Sequence, residues 1–572
     1  MKWDLASLAP PPSGPAVAAR ARGCAERWRG RIAGLGPRDL SRLLAELGHV
    51  QAGLTHLMSY ASLHQALDVF GEQGAELALA AGSAADDVDR AVSFFEAEWQ
   101  ALTEDRVADL LTDPALAPYR HLLRTVRAAR SHLLPAAQEE ALAAREPLAR
   151  AWALLHDRLR APLDEAWGDL AHVDRDVRKP AYDVLVRGLE PHAASLALAY
   201  DALVADRLAV DRLRGLPEPR ALSDFDNHLD PAAVDGMLAE VESQRGLAQR
   251  WFTHKARALG GESLSPWDER APLLPTDRID LPTAVDTVLA AFARISPAFA
   301  WTARRIVTEG RVDAVPRAGR VSRTFSLPVP SERTCFVLVG FDGRPADVLD
   351  LAHELGHAVA FTLAAEAQPT LVFDAPTALG EVPACFAELA VLDLLATEGD
   401  PAQAARAAGH WVDRCVTTVF RQALITSFEQ SAYDLRREGR VLDAALLGDL
   451  WQQAHRDCYG ASLTLGRLHR LGWMCIPHLF HSRFYNYAYA FAGLAALGLH
   501  EVRGRDTAAF GRDFAAFLRT GGSAPPHEQL ARLGLWIDDP GTWRSALDAI
   551  RSRLDVLTDS RTDSRPLHRS EA

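Results

Sequence analysis

The pattern of apolar and polar positions divides the chain into one very long helical portion, a short strand-rich portion and a second helical portion. From Ala16 to about Leu213 it reads as helix after helix: Ala, Leu, Arg and Glu dominate, and β-branched runs are few. Breaks are local, at Gly34-Leu35-Gly36-Pro37, Asp113-Pro114 and Leu134-Pro135. Arg124, Arg127 and Arg130 read as solvated helix faces. Asp174 to Tyr182 opens another helical stretch that runs toward Arg214-Gly215-Leu216-Pro217, and Asp230-Pro231 starts a helix cleanly. His228 beside it reads as structural, because no partner stands at ligand spacing. From Gly310 to Phe341 the character changes: Thr324 to Leu327 and Thr334 to Val339 read as strands. The second strand leads through Phe341-Asp342-Gly343 into a new helix; a strand there either offers an edge on which an extended peptide can add or belongs to a small structural sheet that binds nothing. The remainder returns to helix, including Ile476 to Phe491. The polar duplication Thr558 to Arg565 is expected to lack order. No fixed-period repeat is present, so a solenoid is not expected.

The helix after Gly343 carries the chemistry. Pro345 suits its first position, and Asp347 and Asp350 suit its positive end. It contains His353-Glu354-Leu355-Gly356-His357, the H-E-x-x-H pattern. One helical turn separates the two imidazoles, so both leave the same face and can hold a zinc ion, with Glu354 within reach of a metal-bound water. Leu349, Ala352, Gly356 and Val359 supply a buried face. A catalytic zinc takes a third protein ligand. Ala360 and Leu363 occupy the positions at which a longer His pattern would continue, so that ligand comes from elsewhere. Glu366 would lie about 13 Å up the helix axis, too far to share the ion. Glu381 and Glu388, seven apart on the helix that begins near Pro383, share one face. Glu381 is assigned as the third ligand, and Glu388 as a carboxylate orienting a ligand imidazole. Glu354 is then the general base, moving a proton from zinc-bound water to the leaving amine. An oxyanion donor is expected too. On a continuous helix His478, Ser482, Tyr485 and Tyr489 would share a face; the alternative, aromatic core packing, stays open, and for Tyr487 neither reading prevails.

Composition narrows the setting. The chain has 572 residues, 48% hydrophobic and 24% charged, which are globular values. A net charge of −13 argues against nucleic acid as a partner by simple repulsion. Six scattered Cys with no C-x-x-C pair argue against a disulfide framework or a thiolate zinc site and fit a reducing cytosol. The start, Met1-Lys2-Trp3-Asp4-Leu5, lacks the apolar run of a signal peptide, and no long uncharged apolar run suggests a membrane span. A cytoplasmic location is expected.

Three blocks resemble one family, the thimet oligopeptidase and oligoendopeptidase F group of zinc metallopeptidases (the gluzincin type, H-E-x-x-H plus a downstream Glu). They are Leu351 to His357; Glu381-Val382-Pro383 with Glu388; and Ile476-Pro477-His478 followed by Phe484-Tyr485, Tyr487 and Tyr489. Weaker echoes lie at Trp3-Asp4-Leu5, Tyr60-Ala61-Ser62-Leu63 and Asp174 to Arg214. The resemblance implies a mostly α, two-lobed body with a deep substrate channel and a small β-sheet beside the metal helix. It implies an N-terminal helical domain (1–180), a catalytic domain (181–555) and a disordered tail (556–572). It further implies one Zn²⁺ on His353, His357 and Glu381, Glu354 as base, and His478 with one or two of Tyr485, Tyr487 and Tyr489 at the scissile carbonyl. The expected activity is hydrolysis of internal bonds in short unfolded peptides. Two other readings compete: a metallocarboxypeptidase or dipeptidase, which needs a cation such as Arg320, Arg323 or Arg483 for the terminal carboxylate, and a non-catalytic zinc-containing peptide-binding protein. Two departures from the family pattern, Ala360 where many relatives carry His and the segment Ser322 to Gly343, bear on peptide preference.

Overall fold

The structure is a computed structural model that describes residues 1–559 apart from 69–70, 273–277, 318, 322–323, 399–400 and 505. It is mostly helical, with one small sheet. The chain folds as two compact units that interleave in sequence. The first comprises Met1–Ser131, Asp277–Leu394 and Val502–Leu535; the second comprises His132–Thr276, Leu395–Glu501 and the chain from Trp536 onward. Among the described residues no helix is long and apolar enough to cross a membrane. All six cysteines are buried free thiols.

In the first unit the helices Gly14–Trp28, Pro37–Leu67 and Glu72–Val92 pack together. Proline at a first helical position starts Pro37–Leu67, where the missing N–H costs nothing. Leu40, Leu43, Leu44 and Leu47 then supply the apolar stripe that the packing buries. Arg127 departs from the expected solvated face. Its side chain is only 9% exposed, and it donates to the carbonyls of Trp99 and Leu102 and to Glu104. The carbonyls left over at the end of helix Phe94–Ala101 recruit the guanidinium inward.

The sheet has the order β1-β3-β2, with β1 Val312–Asp313 parallel and β2 Phe325–Val329 antiparallel to β3 Thr334–Leu338. β3, the strand that leads to the metal helix, is therefore central and paired on both sides. An extended peptide has no edge to join there; β2 holds an outer position instead. Trp3 anchors the chain start to this sheet: its Nε1 donates to the Val337 carbonyl at 2.9 Å and its ring meets Phe336 edge-on. Leu63 and Ala66 close the same cluster. The early Trp3 and Leu63 echoes thus mark one packing unit under β3.

After β3 the chain turns at Gly343, where φ is +85° and a Cβ would come within 2.8 Å of the Ile279 carbonyl, so only glycine fits. The helix Pro345–Ala367 follows, and the Asp347 carboxylate accepts from the amides of Asp342 and Arg344 at 2.7 and 2.9 Å. Glu366 near its end pairs with Arg305 at 2.7 Å.

The second unit has five fully buried tryptophans, Trp251, Trp411, Trp451, Trp473 and Trp543. Two of its buried charges are paired, which offsets the cost of burial: Lys255 Nζ lies 2.8 Å from Asp413 Oδ2, and Arg178 lies 2.7 Å from Asp268. Arg178 belongs to the Asp174 to Tyr182 stretch, so its side chain fastens that helix rather than facing water. The expected helix from Ile476 to Phe491 is broken into Pro477–His481 and Asn486–Arg503. Between them Phe484 takes φ +52° and is fully buried against Tyr433. Burial of that ring outweighs the cost of left-handed backbone, which a periodicity argument cannot register. The helix Pro540–Asp559 takes in the first residues of the expected tail; 560–572 lie outside the described residues.

Candidate active site

The first unit brings His353, His357 and Glu381 together. One ligand atom from each lies within 4.8 Å of the others. Glu381 Oε2 is 3.6 Å from His353 Nε2 and 3.4 Å from His357 Nε2. The imidazoles stand 4.8 Å apart between ring centroids and nearly perpendicular. Glu381 sits at the junction of the short helix Thr377–Gly380 and the longer Val382–Glu398, so the carboxylate leaves a corner of the backbone. Glu388, two turns further, accepts from His353 Nδ1 at 2.6 Å, which leaves Nε2 to face Glu381.

These residues fit a metal ion. Glu381 Oε2 is buried and has no hydrogen-bond partner, a costly state unless a cation completes it. Without that ion, burial works against protonation of His353, but the Glu388 hydrogen bond and the charges of Glu388, Glu381 and Glu354 carry its pKa to about 9. The site thus gathers carboxylates around two imidazoles and draws positive charge to itself.

Glu354 is buried at 7% exposure. Ser326 Oγ lies 2.7 Å from its Oε2 and 2.7 Å from its backbone carbonyl, so one hydroxyl proton serves both acceptors. Ser326 was not among the expected site residues. Its strand was legible, but its pairing onto β3 beside the metal helix was not.

Gly356 explains how two helices come close enough to build the site. A Cβ there would sit 2.9 Å from Ala384 Cα, 2.9 Å from the Pro383 carbonyl and 3.1 Å from Ala387 Cβ. Those three residues belong to the helix that follows Glu381 and carries Glu388.

The second unit brings His478, Tyr485 and Tyr489 together with one another. The His478 and Tyr485 rings stack at 4.6 Å and 5°, and Tyr489 meets both edge-on at 5.8 and 5.3 Å. The break after His481 folds them into one cluster, instead of a continuous helical face. His478 and Tyr489 also line a cavity of about 270 Å³ with Trp167, Arg270, Arg421 and Asn486. Tyr487 is structural: it is fully buried, its hydroxyl donates to the Ser223 carbonyl at 3.0 Å and accepts from Asn227 at 3.1 Å. Arg320 and Arg483 reach Asp313 and Asp211, at 3.3 and 2.7 Å, and Arg317 shares the Asp313 carboxylate, so both guanidinium groups are engaged within the fold. Arg323 lies outside the described residues.

Behind the Phe484 turn, Glu429 is fully buried. Burial pushes its pKa up to about 7, against the opposing effect of the Phe484 backbone and the Arg207 and Arg483 charges. From its usual 4.5 to about 7 the fold therefore holds a proton that the unfolded chain has released. Stability from this group is complete below the lower value and is lost as pH rises through the upper one, by roughly 3 kcal/mol in all. Denaturant unfolding at about pH 5 and about pH 8 should show that fall. Glu429→Gln should flatten it, and a wild-type slope in the variant would refute the assignment.

Comparison with known proteins points to one family. The sequence profile of Peptidase family M3 matches residues 293–549, and that of Oligopeptidase F matches residues 98–163. The chain is 24% identical to the chromosomal oligoendopeptidase F of Lactococcus lactis subsp. cremoris, over 67% of this chain and 64% of that one. It is 24% identical to the group B oligopeptidase PepB of Streptococcus agalactiae, over 91% and 90%. The fold matches the crystal structure of oligoendopeptidase-F from Enterococcus faecium with TM-score 0.71 and 20% identity, covering 96% of this chain and 97% of that one. It matches PZ peptidase A with TM-score 0.81 and 15% identity, covering 97% and 99%. The fold and the matched sequence profiles are those of peptidase family M3. Within it, the relatives named here are oligoendopeptidases F and a group B oligopeptidase.

Proposed function

We propose that this protein is a zinc-dependent oligopeptidase that hydrolyses internal bonds of short, unfolded peptides. The observation that carries the reading is the buried, unpartnered Glu381 oxygen facing two imidazole nitrogens, with Glu354 in the same turn of helix. A donor set of two imidazoles and one carboxylate, without thiolate, suits zinc and leaves a coordination position open. A bound zinc ion would polarise the scissile carbonyl and acidify water at the site. Glu354 takes the proton of the attacking water on Oε1, because Oε2 already accepts from Ser326. It returns that proton to the departing amine. Glu388 holds the His353 tautomer throughout.

His478, Tyr485 and Tyr489 are assigned to hydrogen-bond the substrate carbonyl and the oxyanion that develops from it. Support comes from the sequence resemblance and from the packing of the three rings as one cluster. Tyr489→Phe should lower kcat on the order of 10²-fold if its hydroxyl donates in the transition state. An unchanged kcat would return Tyr489 to a packing role.

The direct test is digestion of a peptide pool blocked at both ends, read by mass spectrometry with and without a chelator. Internal cleavage that stops with chelator and returns with zinc is the expected result. No cleavage of blocked peptides, with trimming of free-ended ones, would replace the endopeptidase reading with an exopeptidase.

A further inference from the structure

A second cluster of metal-ligating side chains lies in the second unit, on residues the proposed hydrolysis does not use. His156 and Asp157 are neighbours on the helix Ala136–Arg160, and His481 ends the helix Pro477–His481. Ligand atoms of the three lie within 4.8 Å of one another. The arrangement poses a hydrogen-bonding problem. His156 is fully buried, and its Nε2 lies 2.9 Å from the Met474 carbonyl, which can only accept. Nε2 therefore carries the ring proton, and Nδ1 presents a bare lone pair. That lone pair faces Asp157 Oδ1 at 3.2 Å, acceptor against acceptor. Phe480 stacks on the ring at 4.1 Å and 20° and holds its plane, and an end-for-end flip would forfeit the Met474 contact. On the other side, His481 Nε2 lies 2.9 Å from the same Asp157 oxygen. A second proton on His156 would relieve the conflict, but burial lowers its pKa and opposes that charge.

We propose that His156 Nδ1, Asp157 and His481 Nε2 form a second site for a divalent transition-metal ion of the zinc or nickel class. Ligands about 2.0–2.1 Å from one tetrahedral ion stand about 3.3 Å apart, close to the 3.2 Å between His156 Nδ1 and Asp157 Oδ1. Two imidazoles select against calcium and magnesium. The Met474 carbonyl fixes the His156 tautomer as an outer partner does in metal sites. Asp157 and His481 side chains are 45% and 43% exposed, so an ion has an entry path and solvent can fill the remaining position. The occupied site ties the five-residue helix that carries His478 to the Ala136–Arg160 helix, coupling metal level to the placement of His478.

The test uses the full chain, stripped of metal and dialysed against micromolar zinc chloride. Wild type should retain one more zinc per chain than His481→Ala or Asp157→Asn, both at exposed positions that leave the buried His156 in place. Zinc should also raise the melting temperature of wild type more than that of either variant. The readout is a difference between chains that share His353, His357 and Glu381, so it is independent of whether those three load. Equal zinc content in wild type and both variants overturns the proposal and leaves a hydrogen-bonded His481–Asp157 pair.

Discussion

Glu354→Gln should leave fold and metal content unchanged while lowering kcat by about 10²- to 10⁴-fold, the usual worth of a positioned general base. Glutamine fills the same volume, and its carbonyl oxygen can still accept from Ser326, which now lies 2.7 Å from Oε2. It cannot take a proton on the other atom. Since Glu354 is not among the three converging ligand atoms, zinc measured after dialysis should match wild type. The melting temperature should rise or stay level, because a buried carboxylate has been replaced by a neutral group. Ser326→Ala provides the graded comparison: it removes the proton that restrains Glu354 but not the base, so activity should fall by less. Full activity in Glu354→Gln would end the hydrolytic assignment. Lost zinc in that variant would recast Glu354 as a ligand.

Much of this site was legible because its spacing is local. His353 and His357 need only one helical turn to share a face, and Pro345 and Asp347 announce where that turn begins. Glu381 and Glu388 were legible as a pair for the same reason, and the place of Glu381 at the start of its helix marked it as the one to face the metal. The strands either side of Pro330 were legible from their β-branched and aromatic runs, yet their order was not. That β3 is central depends on β1, a two-residue strand, and on Trp3 more than 300 positions away. Ser326 went unnoticed because its role comes from that pairing. Arg127 was misjudged because helix periodicity says where a side chain points and is silent on carbonyls left over in the next turn of chain. The break at Phe484 has the same origin: a buried aromatic ring and the Glu429 region behind it reward a left-handed residue that no helical pattern foretells. Tyr487 illustrates the converse. It lies two residues from both Tyr485 and Tyr489, but the half-turn offset sends its hydroxyl to Ser223 and Asn227 in the unit's core.

Gly356→Ala should be nearly as damaging as loss of the base, although it adds a single methyl group remote from any proton transfer. The new Cβ would meet Ala384 Cα and the Pro383 carbonyl at 2.9 Å, both backbone atoms that cannot rotate aside. Relief requires the helices Pro345–Ala367 and Val382–Glu398 to move apart. The contacts that define the site cross that same interface: His353 to Glu388 at 2.6 Å, and His357 to Glu381 at 3.4 Å. Overpacking of this kind costs about 1–3 kcal/mol of stability, well within what a chain this size tolerates. A shift approaching 1 Å in a catalytic constellation costs on the order of 10²-fold in rate. The expected signature is therefore a modest drop in melting temperature with a large fall in kcat/KM and weaker zinc retention. Gly340→Ala is the control, since a Cβ there meets nothing within 4 Å, and it should match wild type in all three. If Gly356→Ala kept full activity and zinc, close contact between these helices would not be what brings the ligands into register.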